Sequence, residues 1–172
     1  MEVGVENKYT VIDDFLPKEY FDKIQSVIMG TDFPWFYNNN IIVGSSANEM
    51  GGFQFVHPVY RSNQFVQSQA AELFLPVLKQ LDPNLLIRMK LNLGPKTAEP
   101  EQGGWHIDQD IPGSKTAVLY FNTNNGYTLF EDGYKSESVD NRLVSFDHSL
   151  KHTGVSQTDT QVRCVLNINY IA

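Results

Sequence analysis

The sequence predicts a mostly β protein of the α+β kind. Its second half folds as a sandwich or barrel, and helices flank it on the N-terminal side. Three observations predict this. From Leu85 onward, short alternating segments recur at intervals of about 8–14 residues. Clusters of turn-forming residues separate them, among them Pro112-Gly113-Ser114, Asn122 to Gly126 and Glu131-Asp132-Gly133. Helical periodicity is confined to the first 84 residues, which read as a helical and irregular flank before a core spanning 85–171. No linker divides the chain, so one domain over 1–172 is expected.

Taken in order, residues 8–16 hold a short strand candidate. The next stretch, 17–30, reads as a helix: Pro17 suits a first turn, Phe21, Ile24, Val27 and Ile28 fall on one stripe, and Gly30 can cap the end. Residues 31–52 are rich in Asn, Gly and aromatics and are expected to form a strand or two with loops. A second helix is expected between Ser62 and Pro83, with Pro76 kinking or splitting it. The core strands follow as LLIRMKLNL, WHID, KTAVLYF, YTLFE, RLVSF, HTGVS and VRCVLNINYI.

Composition narrows the function. Apolar residues make up 41% and aromatics 12% of 172 residues, enough for a packed core. The net charge is −7 with no basic run, which argues against nucleic-acid or membrane-surface binding. No apolar run approaches the roughly 20 residues of a membrane span, and no secretory signal is read at the N-terminus. The lone cysteine, Cys164, allows no internal disulfide. A cytoplasmic protein is the expectation.

The chemistry concentrates in a few residues. In GGWHIDQD, His106 and Asp108 stand two apart; on an extended chain both face one side, as two ligands of one metal would. His152 opens a later strand. Two His and one carboxylate leave coordination positions open, which suits Fe(II) better than a closed zinc site. His148 is a competing nitrogen ligand. Eleven residues after His152 comes Arg163. Alternation along VRCVLNINYI puts Arg163, Val165, Asn167 and Asn169 on one face, opposite Val162, Cys164, Leu166, Ile168 and Tyr170. An inward guanidinium there offers a planar fork for a carboxylate.

This order, H-x-D, a later His and then a basic residue, resembles the Fe(II)/2-oxoglutarate-dependent oxygenases. The prolyl-4-hydroxylase-like branch is the most similar, through TAVLYFNTNNGYTLFEDG and NRLVSFDHSLKHTGV as well. The resemblance covers about Leu85 to Tyr170 and implies a double-stranded β-helix (jelly roll). It implies Fe(II) on His106, Asp108 and His152, with 2-oxoglutarate and O2 as cosubstrates and ascorbate as a supporting reductant. Arg163 would pair with the distal carboxylate of 2-oxoglutarate, and Tyr120 would hydrogen-bond the same group. Two positions depart from the branch: Gly94 stands where relatives often carry Tyr, and Val165 where a small residue is common. Asn92 is the candidate replacement contact. The implied reaction is hydroxylation of a C–H bond in a peptidyl or small-molecule substrate, releasing succinate and CO2. Two rivals remain open: a cupin-like metal enzyme without 2-oxoglutarate, and a non-catalytic barrel that binds a ligand. The stretch Asn48 to Phe53 reads as a surface loop or a lid with a Gly-Gly hinge.

Overall fold

Two long strands near the ends of the core, β5 (Leu85–Pro95) and β11 (Val162–Ile171), pair antiparallel along almost their whole length. Each alternates a polar and an apolar face, so their pairing separates the protein into a cavity side and a core side. The structure is a computed structural model that describes residues 8–39 and 52–172.

The other elements are β1 (Tyr9–Ile12), α1 (Lys18–Ile28), β2 (Phe36–Asn38), β3 (Gln54–Arg61), β4 (Gln64–Phe65), α2 (Ser68–Leu81), β6 (Ser114–Tyr120), β7 (Tyr127–Phe130), β8 (Lys135–Glu137), β9 (Leu143–Asp147) and β10 (His152–Val155). The major sheet runs β1-β9-β6-β11-β5-β3-β2, with β4 paired to β3; the minor sheet runs β10-β7-β8. All pairings are antiparallel. The two sheets form a jelly roll.

The helices pack on one face of the major sheet. Phe21, Ile24 and Ile28 of α1 and Phe74 and Val77 of α2 join Met89, Leu91, Leu119, Leu166 and Ile168 in a single buried cluster. Each such side chain contributes about 1.5–3 kcal/mol on burial. On the opposite face, Val118, Tyr120, Val144, Phe146 and Val165 meet Phe130 of the minor sheet in a second, smaller cluster. The cavity opens beside this second cluster.

Several elements differ from the sequence reading. The first 84 residues join the core sheet: β1 and β2 fall in the stretches read as strands, 8–16 and 31–52, and with β3, which pairs with β5, they extend the major sheet. Val27 is exposed rather than part of the buried stripe. Gly30 is not the cap; Met29 occupies that position in αR conformation. Gly30 serves close approach instead, since a Cβ there would lie 3.0 Å from the Ser26 carbonyl oxygen. Pro76 does not split α2, which runs unbroken from Ser68 to Leu81. Phe74 and Val77 on either side of it are fully buried, and their packing holds the helix across the missing N–H. Asp82, left-handed at φ 49°, then ends it. WHID is not a regular strand: only His106 pairs, in an isolated bridge to His152. Strand β8 went unread because its three residues, Lys-Ser-Glu, carry no apolar alternation.

Candidate active site

The bridge between His106 and His152 builds the site. The His106 N–H donates to the His152 carbonyl at 3.1 Å, and the His152 N–H returns the bond at 3.0 Å. This reciprocal pair brings two distant segments together and leaves the imidazole centroids 4.6 Å apart. Each Nδ1 lies near a carbonyl oxygen: Gly104 at 3.0 Å for His106 and Leu150 at 3.1 Å for His152. A carbonyl only accepts, so each Nδ1 carries its proton and each Nε2 presents a lone pair. Burial pushes the His152 pKa down, outweighing the attraction of Asp108, so this ring stays neutral as a ligand must.

Asp108 completes the group. Its Oδ1 is 3.8 Å from His106 Nε2 and its Oδ2 is 3.9 Å from His152 Nε2. Burial alone would raise its pKa. Arg88, then His152, His106 and the Asn169 amide more than offset this and hold the carboxylate below its usual range. Arg88 Nη2 donates to Asp108 Oδ1 at 3.1 Å, and Arg88 Nε donates to Asn169 Oδ1 at 2.9 Å. The Asn169 amide N–H2 in turn reaches Asp108 Oδ2 at 3.4 Å and Thr116 Oγ1 at 3.0 Å. The carboxylate is therefore oriented by β5, β6 and β11 together.

The far end of the same cavity holds Arg163. Its Nε donates to Ser138 Oγ at 2.8 Å and its Nη2 to Thr128 Oγ1 at 3.2 Å. Its guanidinium lies over the Tyr120 ring, 5.5 Å from the centroid. Burial pushes its pKa down, opposed by Tyr120 and Cys164, yet guanidinium remains charged at neutral pH. Among the described residues no carboxylate pairs with it. A half-buried cation facing a cavity without a counter-ion is a site for an anion. Gly126 makes room for its stem: a Cβ there would lie 2.9 Å from Arg163 Cδ.

Tyr120 is fully buried and does not line the cavity, which differs from the expected contact with the cosubstrate. Its hydroxyl oxygen is 2.8 Å from Thr128 Oγ1 and 3.2 Å from the Ser136 carbonyl. It braces Arg163 from below. Asn92 does line the cavity, and its Oδ1 is buried without a partner among the described residues. An amide oxygen only accepts, so Asn92 would hold a carboxylate through its N–H2 after turning over.

Arg88, Lys90, Asn92 and Gly94 face the cavity from β5, and Arg163, Val165 and Asn167 from β11, around a volume of about 620 Å3. At Gly94, beside Arg163, a Cβ would meet nothing closer than the Arg163 carbonyl oxygen at 4.0 Å, so space lies open there. His148 stands outside the metal group, with its Nδ1 3.2 Å from Asp147. His57 is on the core side, with its Nδ1 2.8 Å from the Pro34 carbonyl. Trp105 is exposed and does not line the cavity. Of the Asn48 to Phe53 stretch, 48–51 lie outside the described residues; Gly52 and Phe53 line the cavity. Sequence reasoning missed Arg88, Lys90 and the Asp108–Asn169–Thr116 network. The polar i, i+2, i+4 pattern of β5 was the available signal for the first two.

The donor set fits a metal ion. One nitrogen or oxygen from each of His106, Asp108 and His152 lies within 4.8 Å of the others. Ligand atoms on one face of an octahedral ion at about 2.1 Å stand about 3.0 Å apart, so the three side chains would close on the ion by about 1–2 Å. Two neutral imidazoles and one carboxylate leave room for further ligands and match Fe(II).

No sequence-family profile matches the chain, and no curated protein matches it in sequence. Solved structures do match in fold. A prolyl hydroxylase from Trichoplax adhaerens, in complex with a hypoxia inducible factor peptide, superposes with a TM-score of 0.69 at 13% identity, over 96% of this chain and 84% of that one. A 2OG-Fe(II) oxygenase family oxidoreductase from Burkholderia pseudomallei gives 0.70 at 10% identity, over 95% and 85%. The α-ketoglutarate-dependent epimerase SnoN of nogalamycin biosynthesis gives 0.64 at 12% identity, over 96% and 78%. The chain shares their fold, and no helix among the described residues is long and apolar enough to cross a membrane.

Proposed function

We propose that the protein is an Fe(II)- and 2-oxoglutarate-dependent oxygenase that hydroxylates a C–H bond of a small-molecule or peptidyl substrate. The observation that carries this is one cavity with a His-Asp-His group at one end and an Arg163 without a carboxylate partner at the other. His106, Asp108 and His152 would hold the ion, and the Arg88 and Asn169 contacts keep Asp108 ionised and aimed. When bound, Fe(II) supplies O2 chemistry coupled to decarboxylation of 2-oxoglutarate to succinate and CO2.

The chain's own tasks follow. Arg163 neutralises the distal carboxylate, braced by Tyr120, Thr128 and Ser138. Val118 and Val165 give the stretch between the two ends an apolar wall that limits water. Asn92 is a contact available to the cosubstrate. A cupin-like enzyme without 2-oxoglutarate would have no use for Arg163. The net charge of −7 and the single buried Cys164 support a cytoplasmic protein that does not act as a nucleic-acid binder.

The test is succinate release from protein supplied with Fe(II), ascorbate and 2-oxoglutarate. Wild type should release succinate even without prime substrate. His106→Ala should abolish it, and Arg163→Ala should chiefly raise the apparent KM for 2-oxoglutarate. Release unchanged by both variants would show that these residues do not form the site.

A further inference from the structure

We infer that Lys90 is a second anchor of the cosubstrate, donating to the carboxylate of 2-oxoglutarate beside its keto group, at the end opposite the one held by Arg163. The inference rests on the oxygenase reading above and names what receives the metal-side end of that molecule.

Lys90 is the cation left without a partner at that end. It lines the cavity from β5 and is half-buried. It makes no ion pair or hydrogen bond among the described residues. Arg88, the next cation along the strand, is taken by Asp108 at 3.1 Å. Burial pushes the Lys90 pKa down, Arg88 adds to this, and Asp108 opposes it. An ammonium in these surroundings gains from an anion brought against it.

Strand register places Lys90 toward the metal group. On the cavity face of β5 and β11, Arg88 lies opposite Asn169, Lys90 opposite Asn167, Asn92 opposite Val165 and Gly94 opposite Arg163. Successive rows are about 7 Å apart. The Arg88–Asn169 row supplies both side-chain contacts to Asp108. Lys90 is one row from it, and its backbone is about 13 Å from the Gly94–Arg163 row. The electrostatic neighbours agree: Arg88 and Asp108 act on Lys90, whereas Tyr120 and Cys164 act on Arg163. The two cations serve different ends of the cavity.

The minor sheet sets the distance between those ends. Arg163 Nη2 meets Thr128 Oγ1, Thr128 pairs with Gly154, and Gly154 is two residues, about 7 Å, from His152. A five-carbon diacid spans about 6 Å. With one carboxylate on Arg163, its other carboxylate reaches the metal group. That carboxylate can give one oxygen to the ion and keeps a second, which is costly to enclose unpaired. Lys90 is the cation placed to bond it. Asn167 shares the row and lines the same wall, but a neutral amide does not cancel the charge.

The experiment reads the two carboxylates separately. Calorimetry on the anaerobic Fe(II) protein gives the affinity for 2-oxoglutarate. Carbon-13 NMR on the diamagnetic Zn(II)-substituted protein follows 2-oxoglutarate labelled either at the carboxylate beside the keto group or at the distal one. Lys90→Gln should weaken binding about tenfold or more, and should move the resonance of the near carboxylate while the distal one stays. Lys90→Arg keeps the charge if the Gln variant fails to fold; it should bind within about threefold of wild type and again move only the near resonance. Unchanged affinity in Lys90→Gln overturns the inference. So does a near resonance that stays put, or a distal resonance that moves, in either variant. Failure of wild type to bind Fe(II) and 2-oxoglutarate overturns the oxygenase reading, and this inference with it.

Discussion

Arg163→Met separates a cosubstrate-binding role from a structural one. In the wild-type protein the guanidinium has two hydroxyl acceptors, Ser138 and Thr128, and no carboxylate among the described residues. Replacing it removes those bonds and also removes the cost of enclosing a lone cation. The two effects oppose, so stability without ligand should change by no more than about 2 kcal/mol. The liganded state behaves differently. Deleting one partner of an enclosed, hydrogen-bonded charge pair costs about 3–5 kcal/mol, which corresponds to about 10²- to 10⁴-fold weaker 2-oxoglutarate binding. The assay is thermal unfolding of the anaerobic Fe(II) protein with and without 2-oxoglutarate. At about 100 times the dissociation constant, the wild type should gain about 2.7 kcal/mol, or about 5–10 °C in Tm for a domain of this size. At the same concentration the variant sits at or below its own dissociation constant and should gain under about 0.4 kcal/mol. A variant that keeps the full ligand shift refutes the assignment, most clearly if its unliganded form has lost more than about 4 kcal/mol.

Three further outcomes follow from the packing. Gly126→Ala places a Cβ 2.8 Å from the Val155 carbonyl oxygen and 2.9 Å from Arg163 Cδ, and should raise the KM for 2-oxoglutarate about tenfold while Fe(II) titration stays unchanged. Asn141→Ala removes two buried bonds to the Leu16 backbone, at 2.9 and 2.8 Å, from a residue at φ 58°; urea denaturation should show a loss of about 2–4 kcal/mol, and a loss under about 0.5 would be contrary. Burial pushes the Cys164 thiol up to about 12, so at pH 8 it stays protonated; iodoacetamide should label it only in unfolded protein, detected by mass spectrometry.

Legibility followed the period-2 pattern. It was complete in β11, where each polar residue alternates with an apolar one, and Arg163 and Cys164 face opposite sides as read. It was equally present in β5, yet only Asn92 was singled out there; Arg88 and Lys90 passed as ordinary strand charges because nothing in one strand shows what its polar face meets. The H-x-D reading relied on an extended WHID segment. The backbone there is a loop, and the two ligands converge through the bridge from His106 to His152, a pairing across 46 positions that local pattern cannot display. Tyr120 shares a cluster with Val118 and Val165 beside the cavity, but its hydroxyl meets Thr128 and Ser136 on the minor sheet, and part of that sheet, β8, was not foreseen. Among the strands of the first 84 residues β1 lies in the candidate read at 8–16, whereas the bounds of β2 within 31–52 were obscured, since it is three residues long with Phe36 and Tyr37 exposed and lacks a buried stripe.

The same residues that specify the fold also aim the site, which constrains how the cavity can vary. Cys164, Leu166 and Ile168 are each fully buried under the helices, and their burial sets the register of β11 against β5 and β6. A slip of one residue would turn Arg163 into that core and put Cys164 in the cavity. An unpaired guanidinium among apolar side chains costs several kcal/mol, so the slipped register is excluded by the charge as firmly as the native one is favoured by burial. Asn169 shows the same coupling at the metal end. It is buried one turn of the pattern before Ile171, beside a bulge that lets Asn169 meet Arg88 while Tyr170 pairs with Leu86. The extra residue, Ile87, lies beyond Arg88, so the bulge decides only that Leu86 pairs with Tyr170 and packs against the helix-side cluster. The unbroken register from Arg88 to Pro95 is what lets one pair of strands hold Met89 and Leu91 in the core and Arg88 against Asp108.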